Sequence, residues 1–243
     1  MPSINYGETI IHYFHFKQSR KDIKISVDLI NGIEVYTPIN VSDAKLANIV
    51  RQKAPWITQK LMELNEIKTT IHPIEFVSGE KLPYLGRYYK LKVFREPIQD
   101  SNIKLLQGRF IATVTLNSSQ EYIQQTLKKQ LIKWYQLHGS KKIAERASYY
   151  QSILGIEPHS LQLKTQHKRW GTCTPNGDIY LNWRIVMAPL RVIDYIIVHE
   201  LAHLVVPEHN DKFWRLVRTT LPHYKEAKEW LRVNGYSVAN LFI

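Results

Sequence analysis

The chain has one cysteine among its 243 residues, Cys173. A lone thiol excludes an intramolecular disulfide and a cysteine-built zinc site, so any zinc would have to be held by His, Asp or Glu. Long apolar runs are also missing. The stretch Val192 to Val198 is interrupted by Asp194 and is too short to span a bilayer. Met1 to Arg20 has no apolar core of signal-peptide length. These absences predict a soluble, cytoplasmic protein with no membrane partner. No internal repeat and no low-complexity segment is visible. Acidic residues are in short supply: 21 Asp+Glu face 33 Lys+Arg, a net charge of +12. The excess is spread, with 16 basic against 11 acidic residues up to residue 117 and 17 against 10 beyond it. A basic surface of this kind predicts weak, non-specific contact with nucleic acid, or a merely solvated surface.

What is present suffices for a globular core, since 44% of residues are hydrophobic. The first part reads as strands over Ile10–Phe16, Ile23–Val27 and Ile33–Tyr36, with Asn31-Gly32 as a hairpin signal. Ser42 or Asp43 caps a helical stretch from Ala44 to about Ile67, which Pro55 should kink or split. Strand character returns from Ile74 to Val93, and a hairpin around Gln107-Gly108 joins Ile103–Leu106 to Phe110–Leu116. Residues 1–117 thus form a β-rich region with one long helical arm. Residues 118–243 form a second region, either separate or continuous with the first.

The second region opens with a helix from Ser118 or Ser119 to about Leu154, with an interruption expected at His138-Gly139-Ser140. Lys128, Lys129, Lys133, Lys141 and Lys142 cluster around Trp134 and Tyr135, which suits a nucleic-acid surface or an ordinary amphipathic helix. Leu161–Gln166 and Ile179–Trp183 read as strands, with the turn Pro175-Asn176-Gly177-Asp178 before the latter. Pro189 then starts an apolar, buried helix. Helical stretches from Asn210 or Asp211, and from Pro222 to about Gly235, complete the chain.

The apolar helix carries His199-Glu200-Leu201-Ala202-His203. Residues four apart share one helix face, so His199 and His203 can aim two imidazoles at one metal ion. Glu200 is turned about 100° away, poorly placed as a ligand but able to reach water at the metal, the general-base position of a zinc hydrolase. Pro207 disfavours helix at Val206 and forces a turn that lets His209 fold back as a third ligand. Three protein ligands with a fourth position left for water mark a catalytic zinc. Tyr224 and His223, on the following segment, are candidate oxyanion donors, and Asp194 and Tyr195 candidate groups behind the ligands. Cys173 reads as a small packed residue, not a nucleophile.

Arg169-Trp170-Gly171-Thr172-Cys173, Gly177 to Arg184, the histidine motif and His209-Asn210-Asp211-Lys212-Phe213-Trp214 together resemble the YgjP-like metallopeptidase family, akin to the WLM and SprT-like peptidases. Gly79, Tyr84-Leu85-Gly86 and Tyr88 extend the likeness upstream. The resemblance implies an α+β fold with a zincin-like catalytic domain, one zinc per chain on His199, His203 and His209, Glu200 as base, and a peptide or protein substrate. By likeness to zincins, the strand before the metal helix, Ile179, Tyr180, Leu181, Asn182 and Trp183, would take up the peptide as an added strand. Metzincins share the histidine spacing, but Val206 stands where they usually carry glycine, and Met1, Met62 and Met187 offer no Met-turn downstream. A gluzincin would use Glu226 or Glu229 as third ligand. The reading is a zinc-dependent metallopeptidase acting through zinc-activated water and a Glu base. Its rival is a basic nucleic-acid- or protein-binding module with a structural metal, which would have no need of Glu200.

Overall fold

The computed structural model describes residues 2–7, 9–28, 32–65, 73–166 and 169–242. The chain is α+β and divides by its contacts into two units, Met1–Lys68 and Thr69–Ile243. The boundary expected between residues 117 and 118 falls inside the second unit. No helix among the described residues is long and apolar enough to cross a membrane.

In the first unit β1 (Ser3–Tyr6) pairs antiparallel with β2 (Thr9–His12). β3 (Phe14–Gln18), β4 (Lys24–Asp28) and β5 (Gly32–Pro38) form a second sheet with β5 in the middle. The single strand expected over Ile10–Phe16 is therefore two, broken at Tyr13, whose N–H donates to the Pro2 carbonyl at 3.0 Å. β4 and β5 pair antiparallel, as a hairpin requires, while Asn31 of the expected turn lies outside the described residues. The helix α1 (Asp43–Asn65) starts where Ser42 Oγ accepts from the Lys45 N–H. Of the expected kink or split at Pro55, the split does not occur: the helix runs through Pro55 without a break. Leu46, Val50, Ala54 and Ile57 bury one stripe against the sheets, and that burial offsets the ~3 kcal/mol cost of an interior proline. The expected end at Ile67 is outside the described residues.

The second unit starts with a four-stranded sheet in the order β6-β7-β9-β8: β6 (Lys81–Tyr84), β7 (Arg87–Glu96), β8 (Asn102–Leu106) and β9 (Arg109–Thr115). The β8–β9 hairpin turns at Gln107-Gly108, with φ of 46° and 72°, as the sequence predicted. One face of the sheet buries Leu82, Leu91, Phe110 and Ala112 under α2 (Gln120–Leu154). Ser119 caps α2, its side chain accepting from the Tyr122 N–H. The interruption expected at His138-Gly139-Ser140 is absent. Gly139 is instead a contact point, where a Cβ would lie 2.5 Å from Val186 Cγ1. Trp134 and Tyr135 are buried in the core, so they cannot serve a nucleic-acid surface among the α2 lysines.

The remaining elements surround the motif. β10 (Ser160–Lys164), β11 (Gly171–Cys173) and β12 (Asp178–Asn182) form a sheet with β12 central, parallel to β10 and antiparallel to β11. A 3₁₀ helix, Trp183–Met187, leads to α3 (Leu190–His203), then α4 (Asp211–Thr220) and α5 (Tyr224–Asn240). α3 is buried nearly all round, as its apolar sequence requires. α5 continues past Gly235, the expected terminus. Gly235 is where the Trp170 ring lies, 3.4 Å from the position a Cβ would take.

Candidate metal centre

α3 ends at His203, where the N–H groups of Leu204 and Val206 bond back to Leu201 and Ala202. The chain turns through Pro207, and Asn210 opens α4 by accepting from the Lys212 and Phe213 N–H groups. His209 sits between these two stops. One ligand atom from each of His199, His203 and His209 lies within 4.8 Å of the others. The Nε2 atoms of His199 and His209 are 3.0 Å apart. His203 Nδ1 faces the Val206 carbonyl at 3.3 Å. His199 Nδ1 is buried with no hydrogen-bond partner.

Three imidazoles with converging nitrogens are a donor set that fits one divalent metal of the zinc type. Burial lowers His199 to a pKa of about 3 and also lowers His203, so both rings are neutral and have a lone pair to offer. The set is backed by aromatic rings. Phe213 lies 4.9 Å from His199 and 4.6 Å from His203, and Trp214 stacks on His209 at 5.7 Å. Among the described residues this is the one grouping of His, Cys, Asp and Glu compact enough to hold a metal. Glu226 and Glu229 lie outside it, paired with His223 and Arg232 respectively.

Glu200 is buried, and its carboxyl is pushed up to about 7 by that burial, against the pull of the Arg169 guanidinium and the Cys173 N–H. Glu200, the three histidines and the run from Gly171 to Gly177 line a cavity of about 830 Å³, with Arg169 as its lysine- or arginine-type charge. Gly171 meets the Glu200 side chain so closely that a Cβ there would lie 2.4 Å from Glu200 Oε1. Cys173 is half-buried in the cavity wall. Burial first, then Glu200 and Asp178, raises its pKa, which keeps the thiol protonated and unreactive.

Several expected site residues stand elsewhere. β12 has β10 on one side and β11 on the other, so its backbone groups are engaged and no peptide can add to Ile179–Asn182. Ile179, Leu181 and Trp183 are core residues, and Tyr180 lies under the Lys164 ammonium. Asn182 is an anchor, its Nδ2 donating to the carbonyls of Gln166 and Arg169. The strand that both lines the cavity and ends its sheet is β11. Tyr224 is stacked between Tyr195 and Trp214 and does not line the cavity, and His223 is exposed beside Glu226. The Asp194 carboxylate is taken by Arg146, at 2.7 and 2.8 Å, and ties α3 to α2. Tyr195 packs edge-on to the His199 ring.

Arg169, Gly171 and β11 line the cavity, although the sequence assigned them no place in the site. Three residues are too few for a strand periodicity, but a signal existed: the Asn176-Gly177 turn needs an arm before it as well as after it.

A family model described as YgjP-like, metallopeptidase domain, matches residues 21–234. The crystal structure of the metallopeptidase zymogen of Pyrococcus abyssi abylysin is similar over 39% of this chain and 93% of that one, at 23% identity and a TM-score of 0.35. No curated protein matches the chain.

Proposed function

The chain belongs to the YgjP-like metallopeptidase domain family, and from that premise we propose a zinc-dependent peptidase with His199, His203 and His209 as ligands and Glu200 as general base. The observation that carries the reading is the convergence of three imidazoles beside a buried carboxylate in the wall of one cavity. Zinc in that position would supply Lewis acidity toward a carbonyl oxygen and toward water that no side chain here possesses. The three His rings would bind through ring nitrogen, and the turn at Pro207 orients His209 toward the other two. Glu200, through a carboxylate oxygen, takes a proton from the attacking water and returns it to the departing amine. Gly171 leaves the space in which that carboxylate sits. Phe213 and Trp214 keep water from the back of the histidines.

The peptide or protein substrate would lie in the cavity along β11, which ends its sheet and whose outward Cys173 N–H is already donated to Glu200, leaving the other outward groups for a strand to pair with. Backbone pairing makes little demand on side chains, so the expected cleavage preference is broad. Arg169, an exposed cation in the wall, favours a carbonyl or carboxylate nearby.

Glu200→Gln tests the assignment. The variant keeps size and polarity but cannot accept a proton, so it should fold and retain metal while peptide hydrolysis falls by at least ~10²-fold. Equal cleavage by variant and wild type would reject the base. If neither cleaves an unfolded basic protein, and both bind the same partner equally, a binding module with a structural metal replaces the peptidase.

A further inference from the structure

The four-stranded sheet of the second unit covers α2 with one face and turns the other to solvent. On that outer face, register places like charges side by side. Lys81 of β6 stands opposite Lys90 of β7, and Lys90 stands opposite Arg109 of β9. All three are exposed. The next row, Lys92–Ile111–Lys104, adds two more exposed cations. Among the described residues no carboxylate pairs with any of the five. The acid on this face of β7 is Glu96, at the strand's far end.

Like charges directly opposite each other on neighbouring strands destabilise a sheet, and alternation with Glu or Thr would relieve that at no structural cost. A polyanion laid across the rows would relieve it too. Aromatic rings flank the cations along the same strand: Tyr88, 72% exposed, precedes Lys90, and Phe94, 37% exposed, follows Lys92. The Lys92 ammonium lies 4.7 Å from the centre of the Phe94 ring. An open, positively charged surface with rings at its margins matches the needs of a strand that presents both phosphates and unstacked bases. A duplex hides its bases, and an acidic peptide has none. The α2 lysine cluster differs in this respect, because its Trp134 and Tyr135 face the core.

We propose that the outer face of the β6-β7-β9-β8 sheet binds single-stranded nucleic acid, with Lys81, Lys90, Lys92, Lys104 and Arg109 on the phosphates and Tyr88 and Phe94 stacking on bases. The face is independent of the peptidase assignment, since none of these residues lines the cavity.

The test is fluorescence anisotropy of the full chain with labelled oligo(dT) over a salt series. Lys90→Gln/Lys92→Gln/Arg109→Gln should weaken binding at least tenfold. It should also reduce the slope of log K against log salt by about 2, at ~0.7 per phosphate contact on a single strand. Phe94→Ala should weaken binding at least about fivefold with an unchanged slope, the signature of lost stacking. Lys129→Gln/Lys133→Gln/Lys141→Gln removes the same charge from α2 and should bind as the wild type does. Thermal unfolding of the sheet triple variant should match or exceed the wild type, because the substitutions remove repulsion. Wild-type binding by that variant, or an equal loss from the α2 variant, would overturn the proposal. So would binding of a DNA duplex or phosphatidylserine vesicles at least as tight as of oligo(dT).

Discussion

Gly171→Ala adds one methyl group at the point where β11 meets the α3 motif. The new Cβ would lie 2.4 Å from Glu200 Oε1 and 2.6 Å from both Cδ and Cγ. Because Cγ is among the clashing atoms, rotating the carboxylate about its own bond does not relieve the contact, and the whole side chain has to swing. Its neighbours Val198 and Leu201 are fully buried, and β11 is held by its ladder to β12, so neither partner has room to retreat. Forcing an extra methyl into such a site costs about 1–3 kcal/mol of stability. A catalytic group displaced by ~1 Å costs about 10²-fold in rate. The expected variant therefore folds, retains its metal, unfolds at lower urea concentration and loses about 10²-fold in kcat. Metal content by atomic absorption, a urea melt and cleavage of an unfolded basic protein measure the three quantities. Both substitutions disable the same carboxylate, so Gly171→Ala in a Glu200→Gln background should cost little further activity. Wild-type kcat in Gly171→Ala, or losses that multiply in the double variant, would refute the contact as the means of positioning Glu200.

Three further outcomes are expected. His209→Ala should lose most bound zinc while Glu226→Ala and Glu229→Ala keep it, measured by metal analysis after dialysis; the opposite pattern would move the third ligand to α5. Arg146→Ala leaves the Asp194 carboxylate, with only 10% of its side chain exposed, without its cation and should cost about 3 kcal/mol in denaturant unfolding, whereas Arg146→Met/Asp194→Leu should recover much of it. Ser160 first, and then His159, hold the Asp178 carboxyl below its ordinary range. A carboxyl lowered in the folded state contributes stability that is fully present above its unfolded value and is lost as pH falls through the folded one. Asp178→Asn should therefore flatten the acid side of the stability profile, and an unchanged profile would remove this group from it.

The His199–His203 pair was legible because the helix period alone puts residues four apart on one face, whatever surrounds them. The turn before Pro207 and the caps, to within one residue, at Ser119 and Asn210 were legible for the same reason: each rests on the chemistry of a few adjacent residues. The two Gly-bearing turns at Gln107-Gly108 and Asn176-Gly177 belong with them. Local signals failed where a distant partner had the deciding weight. Pro55 and Gly139 read as helix breakers, yet α1 and α2 continue through them, because a buried stripe and the packing of Val186 outweigh a local propensity. Ile179–Trp183 has the same composition as a peptide-binding edge strand. Only the pairing with β10 and β11 makes it central and passes the edge to three residues with no periodicity of their own. The placement of Arg169 and Gly171 against Glu200, about thirty residues away in the chain, likewise follows from sheet register and helix packing. A motif written within one turn of helix can be read from its spacing, but the wall that faces it is set by long-range contacts whose energy no local stretch of sequence contains.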